Sequence, residues 1–457
     1  MTLHWLIERC NKFNSTEAII FKNDRYIYSE LYSNTIDVIN YLKDIGLPEG
    51  AIVSVEGEFS PKTLAIILAL VNNNNIIVPI SDIPDIKLNE YLDVSQVEVR
   101  IKVSNNDYEL NDTGQIAEHE LYKKIHDIKH SGLVLFSSGT TGQPKASVLD
   151  FNKLIDKHLE KRLARRVLSF LSVDHIGGIN TLLHTISHGG TLIIPLLRTP
   201  ESVFNAIEKW SVEVLPTTPT FLNMALISRI IEKTNISSLK LITYGTEPMP
   251  PVTLKRISEK LPGVKLKQTY GLSEVGILQT KSKSNNELWI KLGNNGFKYK
   301  VLSNILWIKS DCAMLGYLNA QSPFDEEGYF NTEDMVEVDG DYVKILGRRS
   351  DIINVGGEKV YPNEVENILL QANNIADATV IGFPNTITGM GIKAIVHLNE
   401  PENYDVLRSR LYVHCKKFLE EFKIPMIYEI SIAPYYSSRF KKIRSSLKIK
   451  EITNATP

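Results

Sequence analysis

One segment of the chain combines glycines, hydroxyl side chains and a lysine directly after an apolar run. Its candidate binding residues, at 137–145 after LVLF, are Ser137, Ser138, Gly139, Thr140, Thr141, Gly142 and Lys145. Glycines let a backbone turn so that its amides face an anion, and hydroxyls and an ammonium group add donors for phosphate. The spacing of these glycines and the lysine differs from that of the nucleotide-binding loop GxxxxGK[ST]. The segment therefore predicts a phosphate-binding loop of another kind.

A second segment, TYGLSEVG at 269–276, offers an aromatic ring and a carboxylate four residues apart. Tyr270 can stack on a base, and Gly271 and Ser273 continue the candidate nucleotide contact. Glu274 is a candidate Mg²⁺ ligand, because this metal prefers a carboxylate combined with phosphate oxygens.

A third segment runs from 328 to 366 and includes NTEDM and GRRSDIINVGG. Asp334 can accept hydrogen bonds from two ribose hydroxyls, because an ionised carboxylate has several acceptor sites. Arg348 adds a permanent positive charge. Together these residues predict a nucleotide contact close to a domain boundary.

The elements that must position these residues alternate between helix and strand. Near the start of the chain, a hairpin precedes a helix that Ser29 is expected to cap. AIVSVEG and IIVPIS predict strands, and PKTLAIILALVNNNN between them predicts a helix with Pro61 near its start. This strand–helix–strand order predicts a crossover unit in a largely parallel sheet.

The pattern changes to short strands with turns at 281–345, and a smaller helix-and-strand unit follows Gly347. A chain of 457 residues is too long for one ordinary core. We expect an α/β protein with a large N-terminal domain, at 1–347, of mixed and parallel sheets flanked by helices. A small α+β C-terminal lid, at 348–457, completes the prediction.

Composition and charge narrow the protein's class. The net charge is -2, so no overall positive excess favours nucleic acid. Three distant cysteines outside CxxC pairs make a disulfide framework or a zinc site unexpected. The N-terminus lacks a signal-peptide pattern, and the longest apolar stretch is too short to cross a bilayer. We expect a soluble, cytoplasmic protein that neither binds nucleic acid nor inserts into a membrane.

The three segments, in this order, resemble the adenylate-forming superfamily. It comprises acyl- and aryl-CoA synthetases, peptide-synthetase adenylation domains and beetle luciferases. SSGTTGQPK resembles its phosphate loop, with Ala146 where a glycine is usual. YGLSE resembles its Y-G-x-S/T-E motif, NTEDM its T-x-D motif, and GRRSDIINVGG…YPNEVE the start of its C-terminal domain. The similar features extend from about residue 20 to 447, nearly the whole chain.

The resemblance implies a large domain, a mobile lid and an active site between them. The residues of the first loop and Lys145 are then expected around the ATP phosphates, and Glu274 at magnesium. The expected nucleoside contacts are Gly245, Thr246 and Glu247 beside adenine, Tyr270 packed on it, and Asp334 and Arg348 at the ribose. His175 resembles a position near the acyl pocket. Asp174, beside it, has a second interpretation as the aspartate that binds an amino-acid amine in peptide synthetases.

The C-terminal residues are assigned by the same resemblance. The family ends in P-R-T-x-x-G-K-I, whose lysine binds the acid carboxylate and phosphate. KIRSSL fits this pattern best with Lys442 as that lysine, and Lys441 remains a competitor because the glycine is absent. The hinge falls on Ser350 or Asp351, and Gly356 and Gly357 are expected beside the pantetheine arm.

The resemblance therefore implies that ATP and Mg²⁺ activate a carboxylic acid as an acyl-adenylate. Release of pyrophosphate is followed by transfer to CoA or, alternatively, to the phosphopantetheine thiol of an acyl carrier protein. The compact chain favours a small or aromatic acid, and a succinylbenzoate-CoA ligase is an alternative. Two other possibilities are an adenylating enzyme with a different acceptor and a non-catalytic nucleotide-binding relative.

Overall fold

The fold is that of a computed structural model of the chain. It describes residues 3–104, 107–138, 144–293 and 296–432, and the single residues 436, 437, 440, 442 and 444. Within these ranges, no helix is both long and apolar enough to cross a membrane.

The first part of the chain contains the predicted crossover unit. Its elements are α1 (Trp5–Phe13), β1 (Glu17–Phe21), β2 (Asp24–Ile27), α2 (Tyr28–Asp44), β3 (Ile52–Glu56), α3 (Pro61–Asn72), β4 (Ile76–Ile80), α4 (Asp85–Val94), β5 (Val99–Ser104), β6 (Asp107–Asp112), α5 (Glu120–Asp127) and β7 (Gly132–Ser138). The crossover prediction is confirmed, because β3 and β4 pair in parallel and α3 connects them. Ser60 caps α3 by accepting a hydrogen bond from the Thr63 N–H at 3.0 Å.

The predicted cap of α2 is wrong by two residues. The helix begins at Tyr28, so Ser29 lies inside it and Ile27 takes the cap position. The Glu30 carboxylate accepts a hydrogen bond from the Ile27 N–H at 2.8 Å. A side chain in the first turn that reaches back in this way lets a helix start without a polar cap residue.

The middle of the chain alternates strands with helices, and most of its strands join β1 and β2 in a second sheet. Its elements are β8 (Pro144–Asp150), α6 (Phe151–Asp156), β9 (Arg166–Leu168), α7 (Ile176–Ser187), β10 (Thr191–Ile193), α8 (Pro200–Trp210), β11 (Val214–Thr217), α9 (Pro219–Ile227), β12 (Leu241–Tyr244), α10 (Pro251–Lys260) and β13 (Lys265–Gln268). In the described part of the chain, one sheet has the order β13-β12-β11-β9-β10-β1-β2. Its pairs are parallel except β1 with β2.

Antiparallel strands follow, in the region where short strands with turns were predicted. They are β14 (Tyr270–Leu272), β15 (Gly276–Leu278), β16 (Thr280–Ser282), β17 (Ile290–Leu292), β18 (Phe297–Leu302), β19 (Ile305–Ser310), β20 (Gly316–Tyr317), β21 (Phe330–Asp339) and β22 (Tyr342–Arg348). β20 joins the sheet of order β20-β8-β7-β4-β3-β5-β6, and β16-β17-β22-β21-β19-β18 form an antiparallel sheet. The ends of these sheets bring the chemical motifs together.

The C-terminal part builds a core of its own. After a 3-10 turn at Arg349–Asp351 come β23 (Ile353–Val355), β24 (Glu358–Val360), α11 (Pro362–Leu369), β25 (Ile375–Asn385), β26 (Gly389–Leu398), α12 (Tyr404–Phe418) and β27 (Ile427–Ser431). Apolar side chains of α11, α12, β25 and β26 pack together in this core. The predicted fold class, a large α/β domain with a smaller α+β domain, is confirmed. The boundary after Gly347 stays a prediction; β22 ends beside it at Arg348.

Candidate active site

One cavity of about 740 Å³ collects most of the predicted site residues that the structure describes. Those that border it are Ser137, Lys145, His175, Gly245, Thr246, Glu247, Gly271, Ser273, Glu274, Arg348, Asp351 and Lys442. Gly139, Thr140, Thr141 and Gly142 lie outside the described residues, as does the Ser138 side chain. The cavity follows the ends of β7, β11 and β12, and the carboxyl ends of strands are the usual binding edge of such sheets.

A tyrosine connects the lysine of the first motif to the glutamate of the second. Lys145 lies opposite Ser137 in the β7–β8 pair. Its ammonium nitrogen is 5.3 Å from the centre of the Tyr317 ring, and the Tyr317 hydroxyl donates a hydrogen bond to Glu274 Oε1 at 2.7 Å. Glu274 itself is only 9% exposed. The Tyr317 side chain therefore contacts two opposite charges. The Lys145 ammonium lies over its ring face, and the Glu274 carboxylate accepts from its hydroxyl.

The third motif and Tyr270 form a second connected group. Asp334 and Arg348 are cross-strand partners in β21 and β22, and Arg348 Nε is 3.5 Å from Asp334 Oδ1. The Tyr270 hydroxyl donates a hydrogen bond to Asp334 Oδ2 at 2.5 Å. Burial raises the pKa of the Asp334 carboxyl, and the positive charge of Arg348 opposes this shift. Arg348 borders the cavity, and Asp334 and Tyr270 are connected to Arg348 through these contacts.

The loop after β12 is shaped by two backbone features. A Cβ on Gly245 would lie 2.6 Å from Thr269 Oγ1 and 2.8 Å from the Thr269 carbonyl oxygen, so only glycine fits there. Thr246 has φ of 73°, in the left-handed region. Glu247 follows, and its carboxylate accepts a hydrogen bond from the Thr220 N–H at 2.7 Å. Burial raises the pKa of the Glu247 carboxyl.

His175 lies in the cavity wall and has a structural task there. It precedes α7, and its Nδ1 accepts a hydrogen bond from the Gly177 N–H at 2.9 Å. This contact satisfies one of the free amides at the helix start. Asp174, beside it, is buried and accepts hydrogen bonds from Ser81 at 2.6 Å and Ser172 at 2.5 Å.

Lys442 reaches the same cavity from the C-terminal side of the molecule. Its backbone N–H donates a hydrogen bond to Glu247 Oε2 at 3.2 Å. Its ammonium nitrogen is 3.1 Å from Asp377 and 3.6 Å from Glu366. Burial disfavours the charge of Lys442, but Asp377 and Glu366 outweigh this and hold its pKa above the usual value. The competing residue, Lys441, lies outside the described residues.

Arg444 extends this ion-pair cluster. Its guanidinium donates hydrogen bonds to Glu366 and to Asn363, each at 2.8 Å for the shortest contact. It is 4.0 Å from Asp351, one of the two predicted hinge residues. Ser350, the other, lies with Asp351 in the 3-10 turn.

The predicted pantetheine glycines lie elsewhere. Gly356 and Gly357 form the exposed turn between β23 and β24, with φ of 60° and 96°. They are absent from the described lining of the cavity. The turn itself requires left-handed backbone at both positions, which favours glycine whatever else they do.

A second cavity, of about 440 Å³, lies between the two domains. α9, α10 and α11 contribute to its lining. Among the residues that the structure describes, four border both cavities: Glu247, Pro248, Lys442 and Arg444. These side chains therefore separate one space from the other.

With this geometry in view, comparison with known proteins identifies the family. The model described as AMP-binding enzyme matches residues 6–299, and the model described as AMP-binding enzyme C-terminal domain matches residues 364–433. The chain belongs to the AMP-binding enzyme family. The predicted membership of the adenylate-forming superfamily is thereby confirmed.

Relatives of this AMP-binding enzyme align over nearly their whole length. A 2-succinylbenzoate–CoA ligase of Staphylococcus epidermidis is 24% identical, covering 96% of this chain and 97% of the relative. Among solved structures, an anthranilate CoA ligase in complex with anthranoyl-AMP has a TM-score of 0.82 at 18% identity, covering 100% of this chain and 99% of that one. An o-succinylbenzoate CoA synthetase of Bacillus subtilis, with an acyl-adenylate bound, has a TM-score of 0.78 at 20% identity, covering 98% of each chain. At these identities the structural matches show the shared fold.

Among the described residues of this AMP-binding enzyme's site, sequence reasoning missed Arg444, Tyr317, Glu366 and Asp377. Tyr317 lies in the unremarkable segment MLGYLN, and Glu366 and Asp377 belong to a helix and a strand of the small domain. The signal available for Glu366 was its place in the family motif YPNEVE, on the helix that follows the predicted boundary. Tyr317 and Asp377 carry no local pattern, because their partners are distant in sequence.

Proposed function

We propose that this enzyme activates a carboxylic acid with ATP, releases pyrophosphate, and transfers the acyl group to CoA. The observation that supports this best is the composition of the 740 Å³ cavity. Lys145 and Glu274 reach it from the large domain, Arg348 from the end of β22 at the predicted boundary, and Lys442 from the small domain. The positive side chains can lower the repulsion between two anions that must react, and the Glu274 carboxylate can hold a metal cation that does the same.

The first half-reaction brings the acid carboxylate to the α-phosphate of ATP. The carboxylate oxygen bonds to the α-phosphorus, the bond to the β-phosphate oxygen breaks, and pyrophosphate leaves. Lys145 and the phosphate loop are expected to neutralise charge on the leaving group, and Lys442 to hold the carboxylate in line. The substrate carboxylate is the nucleophile, so no protein nucleophile is needed.

Magnesium fits the donor set at Glu274. The carboxylate uses one oxygen for the Tyr317 hydroxyl, and a carboxylate has further acceptor sites for a cation. Bound there with phosphate oxygens, Mg²⁺ would neutralise part of the ATP charge. Glu274 would hold the ion, and Tyr317 would orient that carboxylate.

The second half-reaction would form the thioester. The CoA sulfur bonds to the acyl carbon, the thiol proton is released, and AMP leaves. We propose that the small domain rotates about Ser350 or Asp351 for this step and brings the turn of Gly356 and Gly357 to the cavity. Their exposure in the present arrangement is consistent with a position that is reached only after rotation.

The acid is proposed to be aromatic or small. Named relatives act on 2-succinylbenzoate or anthranilate, and the compact chain agrees with an acid of that size. 2-Succinylbenzoate is the specific alternative that the aligned relatives favour. A carrier-protein thiol as acceptor remains an alternative to CoA, and so does a non-catalytic nucleotide-binding role.

The test is acid-dependent pyrophosphate release across a panel of aromatic, small, amino and fatty acids, with and without CoA. We expect one aromatic or small acid to stimulate release, and CoA to increase it and yield an acyl-CoA mass. Release that CoA leaves unchanged would indicate a carrier protein or another acceptor. ATP binding without release for any acid would support the non-catalytic alternative.

A further inference from the structure

Lys442 is held from two sides by carboxylates of different domains. Its ammonium group lies against Asp377 and Glu366, both in the small domain. Its backbone N–H instead donates to Glu247, in the large domain. The ammonium contact can move with the small domain, whereas the backbone contact must break if that domain rotates.

The surroundings of Glu247 position its carboxylate for the contact with the Lys442 backbone. One carboxylate oxygen accepts from the Thr220 N–H at 2.7 Å and the other from the Lys442 N–H at 3.2 Å. Thr220 lies in the first turn of α9, where free amides and the helix dipole favour a negative charge. The helix start therefore fixes the carboxylate, and the carboxylate fixes the backbone of Lys442.

An aromatic contact two residues earlier docks the same segment to the large domain. Thr218, the cap residue of α9, donates from its hydroxyl to the Phe440 carbonyl oxygen at 2.9 Å. The Phe440 ring packs on Phe170 at 5.1 Å and Phe221 at 5.8 Å between ring centres. Both partners are fully buried in the large domain's core. The start of α9 thus holds the lysine segment at two points.

We propose that Glu247 is a positioning residue for adenylate formation. By holding the Lys442 backbone at the cavity edge, it keeps the small domain oriented for the first half-reaction, and this contact is released for the second. Phe440 supports the same docking from within the segment. The inference rests on the proposed function, because it assigns Lys442 to the first half-reaction.

A competing interpretation gives Glu247 a nucleotide-binding role, since it follows the loop expected beside adenine. The two roles differ in what they change. Loss of a nucleotide contact would raise the KM for ATP and weaken the hold on the adenylate in both half-reactions. Loss of a docking contact would lower kcat for adenylate formation and leave transfer from supplied adenylate unchanged.

The experiment compares Glu247→Gln, Glu247→Ala and wild type in the two half-reactions separately. Glutamine keeps one acceptor oxygen but presents an amide nitrogen to the other N–H, and alanine removes both acceptors. Loss of a hydrogen bond to a charged acceptor predicts a roughly tenfold fall in kcat for pyrophosphate release, larger for alanine. We expect the KM for ATP to stay unchanged, along with CoA transfer from supplied acyl-adenylate. Glu232→Gln is the matched control, because Glu232 pairs with Lys260 on the surface, away from both cavities.

Limited trypsin digestion gives an independent readout of the docking. Cleavage after Lys442 and Arg444 should be faster in both Glu247 variants than in wild type and in Glu232→Gln. If the Glu247 variants fail to fold, Phe440→Ala takes their place, because it weakens the docking without altering the loop after β12. It should show the same loss of pyrophosphate release and the same faster cleavage.

The outcomes separate the two proposals. A raised KM for ATP with kcat preserved, or an equal fall in both half-reactions, would overturn the positioning role. So would wild-type kcat in folded Glu247→Gln and Glu247→Ala, or in Phe440→Ala where it replaces them. A wild-type enzyme that releases no pyrophosphate with any acid would overturn the proposed function itself.

Discussion

The large-domain side of the cavity and the small-domain side are built differently. On the large-domain side, Lys145 and Glu274 lie on or beside paired strands, and Arg348, at the predicted boundary, ends β22, which pairs with β21. On the small-domain side, Lys442 depends on Glu366 and Asp377 in its own domain and on Glu247 in the other. The first arrangement is fixed by sheet pairing, and the second includes one contact, to Glu247, that the proposed domain rotation would break. The difference fits a binding surface that stays in place while a lysine moves.

The largest expected effect comes from removing that lysine. Lys442→Ala should lower the rate of adenylate formation by roughly 100- to 1,000-fold, because a charged group acting mainly in the transition state is lost. Transfer from supplied acyl-adenylate to CoA should remain, since Lys442 is expected to leave the site for that step. Pyrophosphate release and thioester formation, measured separately, check this.

A matched control is available in the same domain. Lys393 pairs with Glu429 at 2.8 Å and is 14% exposed, close to the 10% of Lys442. Lys393→Ala should therefore cost stability in a similar way, with adenylation retained. Near-normal adenylation by Lys442→Ala would contradict the assignment and turn attention to Lys441.

A smaller effect is expected on the large-domain side, at Tyr317. Tyr317→Phe keeps the ring beneath Lys145 and removes only the hydroxyl that contacts Glu274. Losing the partner that orients a metal ligand typically costs roughly 10- to 100-fold in metal affinity. Titration of adenylation with Mg²⁺ should show this as a higher requirement for the metal.

Tyr122→Phe is the comparison for that variant. Its hydroxyl is also buried and donates to the Ser95 carbonyl oxygen at 2.7 Å, and Tyr122 is not among the described residues that line either cavity. It should leave the Mg²⁺ requirement unchanged. An unaltered requirement in Tyr317→Phe would contradict the role of Tyr317 in orienting the Glu274 carboxylate towards the ion.

Gly245 tests how rigid the large-domain side is. Gly245→Ala would place a methyl group 2.8 Å from the Thr269 carbonyl oxygen, and overpacking of this kind costs about 1–3 kcal/mol of stability. Denaturant unfolding should detect the loss. Gly263→Ala, which meets nothing within 4 Å, should be nearly neutral; equal stability of the two variants would show that the loop adapts.

The smallest effect at neutral pH concerns histidines that lie in the large domain. Burial lowers the pKa of His158 to about 2 and that of His184 to about 4, with neighbouring positive charges adding to both shifts. Their folded pKa values lie below the unfolded value of 6.5. The contribution of these histidines to the free energy of unfolding is therefore fully present above pH 6.5, and it is lost as the pH drops from 6.5 towards 4.

At pH 5 the shift of His184 alone predicts a loss on the order of 2 kcal/mol in the free energy of unfolding. Thermal unfolding between pH 8 and pH 5 should show it, with a shallower slope in His184→Phe. Hydrogen exchange should locate the early loss in the large domain. Protection lost first in the small domain would contradict the prediction.

The sequence predicted those parts of the molecule whose partners are close along the chain. The crossover unit could be predicted because strand, helix and strand follow each other along the chain, and Pro61 marks the helix start. Asp334 and Arg348 could be predicted as site residues because they belong to family motifs. Their strands are neighbours in one sheet. The roles of these residues stay predictions, whereas their pairing beside the cavity follows from the strand order.

What the sequence did not predict depends on contacts between distant residues. The Tyr317 hydroxyl meets a glutamate 43 positions away, and Lys442 meets Asp377 across the small domain. Ser29 was assigned to a cap because its type suits that position, but Glu30 satisfies the Ile27 amide from inside the helix. In each case residue type was informative, and the partner was set by tertiary packing.

The shared wall of the two cavities has a consequence for inhibition. Glu247, Pro248, Lys442 and Arg444 separate the 740 Å³ space from the 440 Å³ space. A small apolar molecule that filled the smaller space would press on the face of the wall that must move in the proposed domain rotation. Such a compound would need no resemblance to ATP or to the acid, and neither substrate at high concentration would displace it.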